Sequence, residues 1–215
     1  MNQPDESVFK AIAAQLRQPH GENAAQVGLK MNEGNKYINL KAIETVDPKS
    51  GDRILEIGMG NGFFVKDILA RHPSIKYTGC DLSEEMVDEA IKFNTDHIRS
   101  GNAEFKLSDA GSLPFPENTF DKVFTVNTIY FWDDRSLVLS GVKNVLKPGG
   151  LFVIALRPRF QMENYPFVKY GFNLFSAEEV KELLIENNFN NVETCSMEEP
   201  FQVINGQNIP VSTVI

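Results

Sequence analysis

From residue 52 onward, short apolar runs alternate with longer stretches in which apolar side chains recur every three or four positions. The short runs predict strands at Arg53–Ile57, Ile75–Cys80, Glu104–Leu107, Lys122–Asn127 and Leu151–Leu156. The stretches between them predict helices over Phe63–Arg71, Glu84–Ile98 and Arg135–Leu146, the last with Val138, Val142, Val145 and Leu146 on one face. Strands and helices alternating in this way are expected when parallel strands are joined by crossover helices. The punctuation agrees. His72-Pro73 stops a helix, Ser83 is placed to cap the next, and Lys147-Pro148-Gly149-Gly150 closes a third and opens a strand.

Beyond the fifth strand, Ser176-Ala177-Glu178-Glu179 has the spacing of a capping box ahead of Val180, Leu183 and Leu184. Two β-like runs follow, near Asn191–Ser196 and Ile209–Ile215, with no helix between them, so they are expected to pair antiparallel at a sheet edge. The chain ends inside the second run, as it would if a few residues lay beyond Ile215. Residues 1–50 have no strand pattern. Helical periodicity near Glu6–Arg17 and Asn35–Thr45, separated by the polar Gln18-Pro19-His20-Gly21, marks an N-terminal helical extension preceding a domain over 51–215.

Composition narrows the function classes. The 215 residues are 42% hydrophobic and 23% charged, enough for one sizeable core and too few for two. A net charge of -8 gives no broad attraction to phosphate backbones or anionic lipid, which disfavours nucleic acid and membrane partners. The start MNQPDESVFK is not a leader pattern, and the longest apolar stretch, Leu151–Leu156, is far too short to span a bilayer; a cytoplasmic protein is expected. Cys80 and Cys195, like His20, His72 and His97, are scattered, so neither a disulfide framework nor a metal site is expected.

The chemistry concentrates at Glu56-Ile57-Gly58-Met59-Gly60-Asn61-Gly62, between the first strand and the first crossover helix. Glycines here let backbone approach a ligand closely, since no Cβ intervenes. A dinucleotide loop of the G-x-G-x-x-G type would require glycine at Phe63, and a P-loop would require a following Gly-Lys-Ser or Gly-Lys-Thr; neither is present.

The motif resembles that of the class I S-adenosylmethionine-dependent methyltransferases, an acidic residue followed by G-x-G-x-G. Three further segments match in order: Gly79-Cys80-Asp81-Leu82-Ser83-Glu84-Glu85-Met86 at the second strand's end, Ser108-Asp109-Ala110-Gly111 with Phe120-Asp121-Lys122-Val123, and Lys147-Pro148-Gly149-Gly150. The resemblance covers roughly residues 50–200. It implies an α/β fold, Rossmann-like, with a doubly wound, mostly parallel seven-stranded sheet whose last strand is antiparallel. It also implies S-adenosylmethionine as cofactor and S-adenosylhomocysteine as product. Glu56 would attract the methionyl ammonium, and Gly58, Gly60 and Gly62 would bring backbone to the methionyl and ribose parts. Asp81 would accept the ribose hydroxyls, as an ionised carboxylate with two oxygens can. Leu82 and Met86 would cover the adenine, although Met86 at helical spacing also reads as core. Asp109 would accept from the adenine amino group while the Ala110 N–H donates to the ring.

The acceptor side is less determined. The fourth strand's end, Asn127-Thr128-Ile129-Tyr130-Phe131-Trp132, should face the reacting methyl, because ligands bind beyond the carboxyl ends of such sheets. Its Asn-x-x-Tyr spacing is similar to the N-P-P-Y motif of amino-group methyltransferases, but both prolines are absent. Tyr130, Phe131 and Trp132 read equally as a wall for a flat or apolar acceptor or as core. Asn32, Asn35 and Tyr37 in the extension and Arg157 after the fifth strand are further candidates to line the acceptor site; Arg157 reads as an anion contact or as solvated surface. The resemblance implies that the N-terminal extension and the aromatic-rich loop over Arg157–Phe175 act as lids. No catalytic base stands out, which suits a reaction that positioning can drive. A small-molecule acceptor is expected; the alternatives are a protein or nucleic-acid methyltransferase on the same fold, or a non-catalytic module that binds S-adenosylmethionine.

Overall fold

The computed structural model describes residues 6–204 and 207–215, with side chains outside 201–210. Five strands, β1 (Arg53–Ile57), β2 (Lys76–Asp81), β3 (Ala103–Leu107), β4 (Phe120–Val126) and β5 (Leu146–Ala155), form one parallel sheet in the order β3-β2-β1-β4-β5. The chain moves outward from β1 to β3, then returns to β4 on the other side of β1. The crevice at such a reversal of strand order, beyond the strands' carboxyl ends, is where open α/β sheets bind ligands.

The pleat divides the core in two. Leu55, Ile57 and Val123 face one layer, with Val138, Leu139 and Val142 of the helix at Arg135–Val145. Ile54 and Phe124 face the other, with Ile38, Ala42 and Ile43 of the helix at Lys36–Val46 and Val65 and Ile68 of the helix at Val65–Leu69. In chain order the helices are α1 (Glu6–Arg17), α2 (Ala24–Gly34), α3 (Lys36–Val46), α4 (Val65–Leu69), α5 (Glu84–Phe93), α6 (Thr95–Arg99), α7 (Arg135–Val145), α8 (Arg159–Met162) and α9 (Ala177–Glu186). Ser83 caps α5 by accepting from Met86 N, and Ser176 and Glu179 complete the capping box of α9.

Several expectations need correction. The main sheet has five strands, not seven. Strands β6 (Ser196–Ile204) and β7 (Gln207–Val214) form a separate antiparallel hairpin that meets the β5 end through one bridge, Leu156 with Val214 at 2.9 and 2.8 Å. The ladder cannot continue past that point. Pro158, the next residue facing that edge, has no N–H to offer, while Arg157 turns its N–H to the β4 side, where Tyr130 Oη accepts it at 2.7 Å. The helix expected over Glu84–Ile98 breaks at Asn94, whose side chain donates to Gly62 O and Ala90 O and so ties the helix to the glycine loop. Helix α2 escaped the pattern because its buried positions are Ala24 and Gly28, which leave no apolar stripe. A Cβ on Gly28 would lie 3.1 Å from Asn61 Nδ2 and 3.3 Å from Met86 Sδ, so α2 packs closely on the loop and α5.

Candidate functional site

The three glycines of the loop have positive φ and three different surroundings. A Cβ on Gly58 would collide with Thr128 Cγ2, so this glycine lets the ends of β1 and β4 come together. One on Gly62 would sit 2.9 Å from Asn94 Nδ2 and 3.0 Å from Ala90 Cβ, so its role is close packing on α5 rather than approach to a ligand. One on Gly60 would meet nothing within 4 Å. Gly60 instead donates its N–H to Asp81 Oδ2 at 2.8 Å, while Asp81 Oδ1 accepts from Ser83 N at 2.9 Å. Burial pushes the Asp81 carboxyl up, and the N–H groups of Ser83, Gly60 and Leu82 pull it back.

These groups open onto a cavity of about 290 Å³ at the carboxyl ends of β1, β2 and β4. Of the residues expected to hold the cofactor, Gly58, Gly60, Asp81, Leu82, Met86, Asp109, Ala110 and Asn127 line it. Leu82 is exposed and Met86 is fully buried, so Met86 serves as core and as cavity floor together. Asp109 Oδ1 accepts from Gly111 N at 2.7 Å, which leaves its second oxygen toward other partners. Glu56 and Gly62 do not line the cavity. The Glu56 carboxyl lies buried beneath the loop, where Tyr77 Oη donates to Oε2 at 2.6 Å. Desolvation pushes its pKa up to about 8, opposed by the Tyr77 bond and reinforced by the nearby Asp81 charge.

A second cavity of about 140 Å³ shares the walls Leu16, Met31, Asn35, Asn127 and Phe131 with the first. Asn127 joins the two. At φ 57 it accepts from Tyr130 Oη at 3.1 Å and Arg157 N at 3.3 Å, and donates to Asn35 Oδ1 at 3.2 Å. Of the residues expected at the acceptor, Asn35, Tyr130 and Arg157 line the second cavity and Trp132 the first; Asn32 and Tyr37 line neither. Tyr130 and Trp132 are both buried, and each also lines a cavity, Tyr130 the second and Trp132 the first. The Trp132 indole N–H and Asn32 Nδ2 are buried without a hydrogen-bond partner among the described residues. Arg157 is neither solvated surface nor a free anion contact. Its guanidinium is buried, 3.2 Å from Glu199 Oε2, and donates to Gly34 O at 2.8 Å.

The pattern of the sequence gave no notice of the strap at residues 16–21. Leu16, Arg17 and Pro19 line the first cavity. The strap is fastened on one side by Arg17 to Asp133 at 2.7 Å, and on the other by Gln18 to Leu82 O and Gly21 N to Glu85. Ser83 Oγ, besides capping α5, donates to Pro19 O.

A methyltransferase-domain family model matches residues 55–154, the span from β1 through β5. With that match and the parallel sheet around the glycine loop, residues 55–154 form a methyltransferase domain like that of the class I S-adenosylmethionine-dependent enzymes. It is 29% identical over 132 residues to the uncharacterized methyltransferase YdaC of Bacillus subtilis, covering 61% of this chain and 71% of that one. It is 30% identical over 168 residues to the ubiquinone/menaquinone biosynthesis C-methyltransferase UbiE of Desulfotalea psychrophila, covering 78% and 64%. The chain thus spans roughly two thirds of the length of these curated relatives. Among solved structures, the complex between the Haloferax volcanii Trm112 methyltransferase activator and a putative methyltransferase matches with a TM-score of 0.75 at 20% identity, over 99% of this chain and 98% of that one, a likeness of fold.

Proposed function

We propose that this methyltransferase transfers a methyl group from S-adenosylmethionine to a small-molecule acceptor. The observation that carries the proposal is the pair of cavities sharing one wall at the strand-order reversal, the first lined by the glycine loop and acids, the second by aromatic rings.

The residues of the first cavity fit the cofactor. Its lining has Asp81, Asp109, Asp133 and Asp134 against the single cation Arg17, which suits a ligand with a sulfonium and an ammonium. A carboxylate accepts about four hydrogen bonds, and Asp81 has two of them filled by Gly60 and Ser83, leaving capacity for a ribose diol. Leu82 and Met86 offer apolar cover for adenine, Asp109 accepts from its amino group, and Ala110 N–H donates to the ring. When bound, the cofactor supplies a methyl group already activated on sulfur. The protein's part is to orient the acceptor and exclude water, and the strap over residues 16–21 and α2 stand over the cavity to do so.

An acidic chain and a cavity of about 140 Å³ support a small acceptor over a protein or nucleic acid. The UbiE relative is named for ubiquinone and menaquinone biosynthesis, which is consistent with a small acceptor. The test is to incubate the protein with methyl-labelled cofactor and a fractionated lysate. Label is expected in the small-metabolite fraction; label confined to protein or RNA would overturn the acceptor assignment.

A further inference from the structure

We infer that the acceptor presents a single aromatic ring bearing an acidic oxygen, with the ring in the second cavity and the oxygen at the Asn35–Asn127 amide pair. This deepens the methyl-transfer reading and rests on it.

Size comes first. The second cavity is about 140 Å³, and a closed apolar cavity of about 150 Å³ takes benzene. One ring occupies that volume, and a fused pair would have to extend past it through the open side or toward the first cavity. The walls of the second cavity are packed against one another: Phe172 lies 4.6 Å from Phe131, 5.8 Å from Tyr130 and 5.6 Å from Phe167, centroid to centroid. Aromatic faces and edges at such spacings favour another ring over an alkyl chain of equal volume.

Polarity comes second. The charge of Arg157 is met by Glu199 at 3.2 Å, so it does not select a multiply charged group such as a phosphate. The Asn127 carboxamide oxygen already receives Tyr130 Oη and Arg157 N. The Asn127 Nδ2 group bonds Asn35 Oδ1, and Asn35 Nδ2 donates to no other described residue. What the pair has most left to offer a ligand is N–H donors, both hydrogens of Asn35 Nδ2 and the second of Asn127 Nδ2 against one further lone pair on Asn35 Oδ1, which favours an oxygen acceptor over an ammonium. Both asparagines also line the first cavity, so an oxygen held by them stands at the shared wall where a methyl group would be received. The oxygen enters as its anion. It forms the new O–CH₃ bond as the methyl–sulfur bond breaks with its electron pair left on sulfur, and no proton remains to be placed.

The test is calorimetry on the whole protein with S-adenosylhomocysteine present, titrating benzoate, phenol, 2-naphthoate and octanoate. Benzoate or phenol should bind at least tenfold more tightly than naphthoate and octanoate, and Asn35→Leu should weaken that binding at least tenfold more than it weakens S-adenosylhomocysteine binding. Phe167→Ala, or Met162→Ala if that variant does not fold, should admit naphthoate. Labelled methyl ester or methyl ether as product separates carboxylate from phenol chemistry. Equal binding of all four compounds, or none by benzoate and phenol while S-adenosylhomocysteine binds, would overturn the inference alone. Failure of S-adenosylhomocysteine itself to bind would overturn the methyl-transfer reading beneath it.

Discussion

Glu56→Gln should make the protein more stable, and increasingly so as pH rises. The Glu56 carboxyl is buried and its pKa is lifted by desolvation from 4.5 to about 8, so the native state holds a proton that the unfolded chain gives up. The sign follows from that difference. Below pH 4.5 both states are protonated and the group contributes nothing; between 4.5 and about 8 the unfolded chain ionises while the native one does not, and stability falls; above about 8 both are ionised and the loss is complete. Across that interval, at about 1.4 kcal/mol per pH unit, the loss comes to about 4–5 kcal/mol. Glutamine has nearly the same shape, does not titrate, and can still accept from Tyr77 Oη through its carbonyl oxygen. Urea unfolding of both proteins at pH 5, 7 and 9 measures the effect. The gap in favour of the variant should widen by several kcal/mol from pH 5 to pH 9. Parallel stability profiles would refute the claim that Glu56 is held neutral near pH 7.

Two further substitutions test other joints of the site. Gly58→Ala should cost about 2–4 kcal/mol, because φ is 74° and the new methyl collides with Thr128 Cγ2; thermal unfolding measures it, and Gly58→Ala with Thr128→Ser should recover part of the loss. Glu199→Gln leaves the buried Arg157 guanidinium without its counter-charge and should cost about 3–5 kcal/mol, with little change between 0.05 and about 0.5 M salt, since a buried pair is poorly screened; a stability loss under about 1 kcal/mol would contradict the pairing.

The class of fold was written in the chain because β1, β2, β4 and β5 are apolar runs buried by helices on both faces, and because Ser83 and Ser176 announce helix starts by local chemistry. The placement of Asp81 and Asp109 at the cavity was legible from the strands that position them: Asp81 closes β2, and Asp109 lies two residues past β3. What sequence periodicity could not carry depends on contacts distant in the chain. Helix α2 buries small residues instead of an apolar stripe. Gly62 was grouped with its neighbours, yet its constraint comes from Asn94 and Ala90 on α5. The fate of Arg157 was decided by Glu199, forty-two residues away in the sequence.

The central claim is that Asp81, Asp109 and the glycine loop cradle S-adenosylmethionine, and titration calorimetry of that cofactor into the folded protein, beside Asp81→Ala, addresses it most directly. The native protein should bind with a dissociation constant in the micromolar range, and Asp81→Ala, folded by circular dichroism, should bind at least tenfold more weakly, a loss of about 1.4 kcal/mol or more. No heat of binding to folded native protein, or equal affinity in the variant, would contradict it.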